Sequence, residues 1–365
     1  MTQPYAARMA RAAEEAGRAD LAGLLVTPSA DLLYLAGYDP PLLPRLTCLV
    51  LRPGADPVLL VPELERPRAL AGPPGRTLEV AGWRDGDDPY EALARLTVDR
   101  GTYGAADRMW AVHLMGIERA LPQCDFVPAS RVLAGLRAVK DPAELDLLAR
   151  AARCADATFN RIVEGRLEGR REEEMAATLA DLLLEAGHEQ VAFTIVASGP
   201  NGASPHHEPG PRTIRAGDAV VLDFGGRIGG YCSDMSRTVC IERVPDGFTE
   251  VYDVVREAQE AAFQAVRPGV AAQDVDRAAR HVIESAGFGD RFLHRTGHGI
   301  GLDEHEAPYI VAGNRDPLRP GMCFSIEPGI YLEDRFGVRI EDIVSVAEEG
   351  AVRLNRASRD LETVP

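Results

Sequence analysis

Apolar positions along this chain follow two periods, and the changes of period outline its parts. Over roughly the first 130 residues, helix-like and strand-like segments alternate. Ala6 to Gly17 repeats apolar residues at helical spacing. Gly23-Leu-Leu-Val26, Cys48-Leu-Val-Leu51 and Pro57-Val-Leu-Leu-Val61 are short continuous apolar runs of the kind that form buried strands. That alternation predicts a small α/β domain. The pattern breaks around Leu136-Arg-Ala-Val-Lys140, so the expected domains are 1–136 and 137–365. Asp141-Pro-Ala-Glu144 then opens a long helix, with Asp141 as N-cap, Pro142 at the first helical position and Glu144 completing a capping box. Helical periodicity runs on to about Val163.

Beyond that helix the strand signals lengthen and carry acids. Ala219-Val-Val-Leu-Asp-Phe-Gly-Gly-Arg-Ile-Gly-Gly-Tyr-Cys-Ser-Asp234 is an apolar run, a glycine-rich turn and the start of a second run ending Arg237-Thr-Val-Cys-Ile241. A β-hairpin centred between Ile228 and Gly229 would set Asp223 directly opposite Asp234, with Cβ atoms ~4.5–5.5 Å apart. A hairpin centred on Asp334 would likewise oppose Glu327, in Ser325-Ile-Glu-Pro-Gly-Ile-Tyr331, and Glu341, in Val338-Arg-Ile-Glu-Asp342. A fainter regularity spans the same half. Gly169, a helix from near Arg171 and Glu185-Ala-Gly187 recur as Gly269, a helix from near Asp274 and Ser285-Ala-Gly287. A duplicated unit of two helices and a sheet would leave a cleft between two sheet halves.

Composition narrows the function without naming it. A chain of 365 residues can hold two domains with sizeable cores. Its net charge of −16 argues against nucleic acid or an anionic membrane surface as partner. Arginine supplies nearly all the positive charge, Lys140 being the only lysine. The six cysteines, at 48, 124, 154, 232, 240 and 323, show no paired short spacing and read as free thiols of a reducing compartment. Cys232 and Cys240 flank Asp234 and are expected to pack rather than to ligate. No apolar run approaches the ~20 residues that span a bilayer, and no signal-like stretch opens the chain. The expectation is a cytoplasmic protein.

The acids change the picture. Taken singly, each would read as a surface or turn residue. Together they form two opposed pairs in apolar strands, an arrangement that is costly unless a cation lies between them. With His298, in Thr296-Gly-His-Gly-Ile-Gly-Leu302, the pairs offer four hard oxygen donors and one imidazole, a donor set for two divalent metal ions. Four carboxylates sum to about −4 and two such ions to about +4, so the loaded site approaches neutrality. Oxygen donors with one imidazole favour Mn²⁺, with Co²⁺ and Zn²⁺ as alternatives.

Five segments carry a resemblance. Ser204-Pro-His206, Asp223 to Asp234, Gly297-His-Gly-Ile-Gly-Leu-Asp-Glu-His-Glu-Ala-Pro308, Ser325 to Tyr331 and Val338 to Asp342 stand in the order found in the pita-bread metallopeptidases. From about residue 140 onward the chain resembles that family: prolidase (Xaa-Pro dipeptidase), aminopeptidase P, methionine aminopeptidase and the metal-free creatinases. The earlier part, including Asp31-Leu-Leu-Tyr-Leu-Ala-Gly-Tyr38, is similar to the N-terminal domain of prolidases and creatinases. The resemblance implies an α/β N-terminal domain of creatinase/prolidase type, followed by an α+β pita-bread catalytic domain. It implies Asp234 and Glu341 as bridging metal ligands, Asp223 as a ligand of one ion, and His298 with Glu327 as ligands of the other. Glu327 also matches the residue that takes the nucleophile's proton. His206 and His305 match histidines that hydrogen-bond substrate carbonyls and the tetrahedral intermediate, and His294 matches another pocket histidine. Arg339 alternates with Glu341 and is expected to support the carboxylates. His207 would face away from His206 on an extended strand.

The activity implied is that of a dinuclear-metal exopeptidase cleaving between an N-terminal residue and proline. Xaa-Pro dipeptides are the first expectation, and longer Xaa-Pro peptides, as for aminopeptidase P, the alternative. A non-catalytic binding or scaffold protein is the rival outside the enzymes. The implied partner is a small peptide. The implied assembly is a homodimer, with the N-terminal domain serving dimerisation and the edge of the substrate pocket. One position departs from the family pattern. Many prolidases carry an arginine, associated with the dipeptide's terminal carboxylate, where this chain has Tyr309. A buried carboxylate needs a cation, so Arg45, in Asp39-Pro-Pro-Leu-Leu-Pro-Arg45, is the preferred substitute and Arg315 the second, with Tyr309 kept as a substrate-binding candidate.

Overall fold

The structure is a computed structural model that describes residues 4–365. Between Arg137 and Ala138 the described residues divide into two compact units.

In the first unit, the described strands form one mixed six-stranded sheet. Its order is Glu79–Trp83, Val58–Pro62, Cys48–Leu51, Gly23–Val26, Gly101–Ala105 and Cys124–Pro128. Cys48–Leu51 runs antiparallel to both of its neighbours, and the other pairs are parallel. Gly23–Val26 and Cys48–Leu51 are buried at every residue, which is why they read as unbroken apolar runs rather than as alternating ones. The helix Tyr5–Arg18 packs against them and buries Met9, Ala12 and Ala16.

The second unit opens as the sequence predicts. The Asp141 carboxylate accepts hydrogen bonds from the Ala143 and Glu144 amides, the Glu144 carboxylate accepts one from the Asp141 amide, and the helix Pro142–Val163 follows. The repeat is structural as well. Helix Pro142–Val163 packs on helix Glu172–Glu185, as helix Phe248–Ala265 packs on helix Ala272–Ser285. Arg171 and Ala271, which precede the second helix of each pair, both form an isolated β-bridge, to Thr213 and Pro317 respectively. Each helix pair backs its own sheet and core. Phe159, Leu179 and Phe224 belong to the core under Gln190–Ser198, Ala219–Ile228 and Met235–Ile241. Tyr252, Val255 and Phe324 belong to the core under Gly297–Gly299, Glu306–Ile310, Cys323–Ile326 and Asp342–Ala347.

The acidic hairpins show one correction and one agreement. Ile228 pairs with Tyr231 and Ser236 with Asp223, so the first turn is Gly229-Gly230 and Asp223 does not face Asp234. A two-residue hairpin turn of this kind needs positive φ at both central residues. Gly229 and Gly230 supply φ of 57° and 85°, whereas the expected centre would have forced β-branched Ile228 into that region. In this register Asp234 falls opposite Gly225, where an added Cβ would lie 2.1 Å from the Ser233 carbonyl oxygen. Asp234 lies between the strands Tyr231–Cys232 and Met235–Ile241. The second hairpin has the expected register. Gly329 pairs with Arg339 and Ile326 with Asp342, which sets Glu327 against Glu341 in the break between the two ladders. Asp334, at φ 60°, makes the turn.

Candidate metal centre

Backbone hydrogen bonds bring the acids from separate elements to one point. The Glu327 amide donates to the Thr296 carbonyl at 2.8 Å, tying it to the strand that carries His298. The Glu341 amide donates to the Ser236 carbonyl at 3.0 Å, tying it to the ladder that carries Asp223. The outcome is a set of overlapping clusters: Asp223, Asp234 and Glu341; His298, Glu327 and Glu341; and Asp234, His298 and His305. Within each, one donor atom per residue lies within 4.8 Å of the others.

Asp223 and Glu341 each have one oxygen fastened, which leaves the other to face inward. Arg339 Nη2 donates to Asp223 Oδ2 at 2.5 Å, and Ser236 Oγ donates to Glu341 Oε2 at 2.8 Å. Ser325 Oγ donates to Glu327 Oε1 at 3.1 Å. The opposite oxygens, Asp223 Oδ1 and Glu341 Oε1, are buried with no hydrogen-bond partner. A buried orphan oxygen is costly, and two of them in one acidic cluster fit a divalent cation. His298 is prepared the same way. Its Nδ1 donates to the Gly299 carbonyl at 3.1 Å, which leaves the Nε2 lone pair for the cluster, 3.2 Å from Glu327 Oε1 and 3.6 Å from Asp234 Oδ2.

The electrostatics agree. Burial raises the Asp234 pKa well above its ordinary value, and the charge of Asp223 adds to the rise. Glu341 is raised too, by burial first and then by Asp234, Glu327 and Asp223. Burial also works to raise Glu327, but the hydrogen bond and charge of His298 outweigh it and hold this carboxyl down to about 2. His298 is raised in return: burial opposes its protonation, and Glu327 and Asp234 prevail. The cluster therefore favours positive charge at its centre. Cys232 takes no part in it. Burial pushes its thiol up to about 12, and the sulfur meets the Leu302 carbonyl instead.

A cavity of about 450 Å³ opens over these residues. His206, His294 and His305 line it, with Arg295, Arg339 and the apolar Phe193 and Ile195. Arg295 Nη2 lies 3.2 Å from His305 Nδ1. Since a guanidinium can only donate, His305 is the tautomer with its proton on Nε2. Burial and the nearby charges of His298 and Arg295 push its pKa down to about 4, so it is neutral at physiological pH. Both nitrogens of His294 are engaged by the protein. Nδ1 donates to the Arg295 carbonyl at 2.7 Å, and Nε2 accepts from the Tyr331 hydroxyl at 2.8 Å. Arg339 has donors on Asp223, Ser236 Oγ, the Tyr331 hydroxyl and the Pro205 carbonyl.

Arg45 belongs to the first unit, where Nε and Nη2 hold both carboxylate oxygens of Asp85, at 2.9 and 2.8 Å. Arg315 is exposed in the loop after Ile310. Tyr309 stands on Glu306–Ile310 with its ring under the Arg295 guanidinium, 4.6 Å from centroid to carbon. His206 and His207 lie in a turn, not on an extended strand, although His207 does point away from the cavity. It meets Glu172 at 2.8 Å, and that buried carboxylate also accepts from Ser198 and Asn201. Sequence reasoning passed over Glu172, Ser236, Arg295 and Tyr331. The signal available for Arg295 was its place between His294 and His298.

Comparison with known proteins fits this geometry. The model of Metallopeptidase family M24 matches residues 146–348, and that of the Creatinase/Prolidase N-terminal domain matches residues 8–139. The "Probable dipeptidase PepE" of Mycobacterium tuberculosis is 46% identical over 99% of this chain and 97% of its own. The Xaa-Pro dipeptidase of Lactobacillus helveticus is 36% identical over 91% of this chain and 92% of its own. The crystal structure of a prolidase from Thermococcus sibiricus superposes with a TM-score of 0.94 at 38% identity, covering 100% of both chains. The two family models together span both units, and the chain belongs to metallopeptidase family M24.

Proposed function

We propose that the protein is an Xaa-Pro dipeptidase working with two divalent metal ions. The observation that carries this reading is the pair of buried donor clusters sharing Glu341, each with an unpartnered or inward-facing oxygen, beneath a cavity lined by His206 and His305. In this reading Asp223, Asp234, His298, Glu327 and Glu341 would hold the ions. The ions, Mn²⁺ by preference for an oxygen-rich set, would lower the pKa of a shared water and polarise the scissile carbonyl.

The chain's own groups do the rest. Glu327 accepts the proton of the attacking water. His305 presents Nε2–H to the oxyanion that forms at the carbonyl, and His206 lines the same cavity to meet the substrate backbone. His294, with both nitrogens engaged, positions Tyr331 and the Arg295 backbone. Arg339 holds Asp223 and Ser236 in place and so orients the donor set. A bond to proline nitrogen has no N–H for a peptidase to grip, and a site that holds the carbonyl and the free amine does not need one. We further propose a cytoplasmic homodimer in which the N-terminal domain serves dimerisation and borders the partner's pocket.

The test is hydrolysis of Leu-Pro beside Leu-Pro-Gly by the purified protein loaded with Mn²⁺. The dipeptide should be cleaved with at least about tenfold higher kcat/KM. Preference for the tripeptide would make the enzyme an aminopeptidase P. Hydrolysis of neither, by protein that retains its metal, would leave a binding or scaffold role.

A further inference from the structure

We propose that Arg295 binds the free C-terminal carboxylate of the dipeptide and thereby sets the preference for dipeptides. This assignment rests on the Xaa-Pro reading above and names the group that would measure substrate length. A dipeptide brings a negative charge into the cavity one residue beyond the bond to be cut. That charge must meet a cation or stay in water.

Two arginines line the cavity. Arg339 has its donors on Asp223, Ser236 and Tyr331. Arg295 differs. Among the described residues it forms no ion pair with any carboxylate, and one of its five N–H groups is taken, by His305. Glu304, also on the cavity wall, is paired with Arg227 at 3.0 Å. Arg295 is thus a cavity cation with donors to spare, and a carboxylate can take two of them side by side.

Its guanidinium is also held in advance. The Tyr309 ring lies beneath it at 4.6 Å, and His305 fixes one edge. Less side-chain freedom is then lost when a ligand binds. The order of neighbours on the wall suits a dipeptide. His298, in the donor set, lies against His305 with ring centroids 3.8 Å apart, and Arg295 adjoins His305 on the cavity wall. A scissile carbonyl at the donor set puts the terminal carboxylate one residue further on, about 3.8 Å along the chain. A tripeptide would offer a neutral amide at that point and carry its charge past the guanidinium.

The experiment compares Leu-Pro with Leu-Pro-amide, which keeps the scissile bond and removes the charge, in wild type, R295M, R295K and R45A loaded with Mn²⁺. Wild type should favour the acid by about 10²-fold in kcat/KM, mostly through KM. R295M should bring the ratio close to one, and R295K should restore part of it by keeping the charge without the fork. Any effect of Arg295 through His305 falls on both substrates and cancels in the ratio. An unchanged acid-to-amide ratio in R295M overturns the proposal, as does a ratio that collapses in R45A instead. A wild type that cleaves acid and amide equally also overturns it while leaving Xaa-Pro hydrolysis intact. Cleavage of neither by metal-loaded wild type removes the underlying reading, and this inference with it.

Discussion

At the scale of single residues, the acids differ in the role their surroundings allow. Asp234 and Glu341 have raised pKa values, whereas Glu327 beside His298 is held down to about 2. As the proposed acceptor of the water's proton, Glu327 acts through its carboxylate, so its charge matters more than its shape. Glu327→Gln keeps the shape and should lower kcat by at least about 10²-fold, the scale of general-base catalysis, with a smaller change in KM. A variant within a fewfold of the wild-type rate would show that another group takes the proton. The identities of these acids were legible because ionisable residues inside apolar strands have no inexpensive structural explanation. His207 was harder to read. Its neighbour His206 faces the cavity, but His207 anchors the turn by gripping Glu172, a residue 35 positions earlier. No local pattern announces a contact of that kind.

At the scale of elements, what the sequence conceals is register and what holds the loops. The Gly229-Gly230 turn follows from the positive φ that both positions need, yet four neighbouring glycines left the centre of the hairpin ambiguous by one residue. Asp334 was easier, because the acids flanking it had one symmetric centre. The loop from Gly199 to Gly210, which carries His206, is fastened from beneath by Glu172, whose carboxylate accepts from Ser198, Asn201, His207 and the Gly210 amide. Burial works to raise the Glu172 pKa, and the hydrogen bonds from Ser198, His207 and Asn201 more than reverse it. A carboxyl with a depressed folded pKa stabilises the protein above its unfolded pKa, and that contribution is lost as pH falls through the folded value. Glu172→Gln should therefore lower Tm by roughly 4–8 °C at pH 7, with the gap to wild type narrowing in acid. It should also reduce kcat/KM through His206 while leaving metal content unchanged. Equal melting curves at pH 7 would mean that the loop is held by other contacts.

At the scale of the whole molecule, the repeat of two helices and a sheet was visible in the sequence, because turn glycines and helix starts recur at a fixed spacing. The stability of the catalytic unit depends on what that repeat encloses. Asp234 and Glu341 rise above their ordinary values of 3.8 and 4.5, so each penalises the folded chain above its unfolded pKa, and the penalty fades as pH falls through the raised value. Glu327 acts oppositely, but its contribution is lost only as pH approaches about 2, so it is constant across the neutral range. The −16 net charge also repels less as pH falls, and it does so with or without metal. The difference between metal-loaded and chelator-treated protein therefore isolates the acid cluster. A ligand at a hundred times its Kd stabilises the folded form by about 2.7 kcal/mol, and ionised carboxylates are what the cation binds. Tm measured with Mn²⁺ and with chelator should differ by several degrees at pH 7.5 and by less at pH 5.5, with the chelated protein gaining stability relative to the loaded form as pH falls. Identical Tm values at pH 7.5 would mean that the buried acids are balanced within the protein and hold no divalent ion.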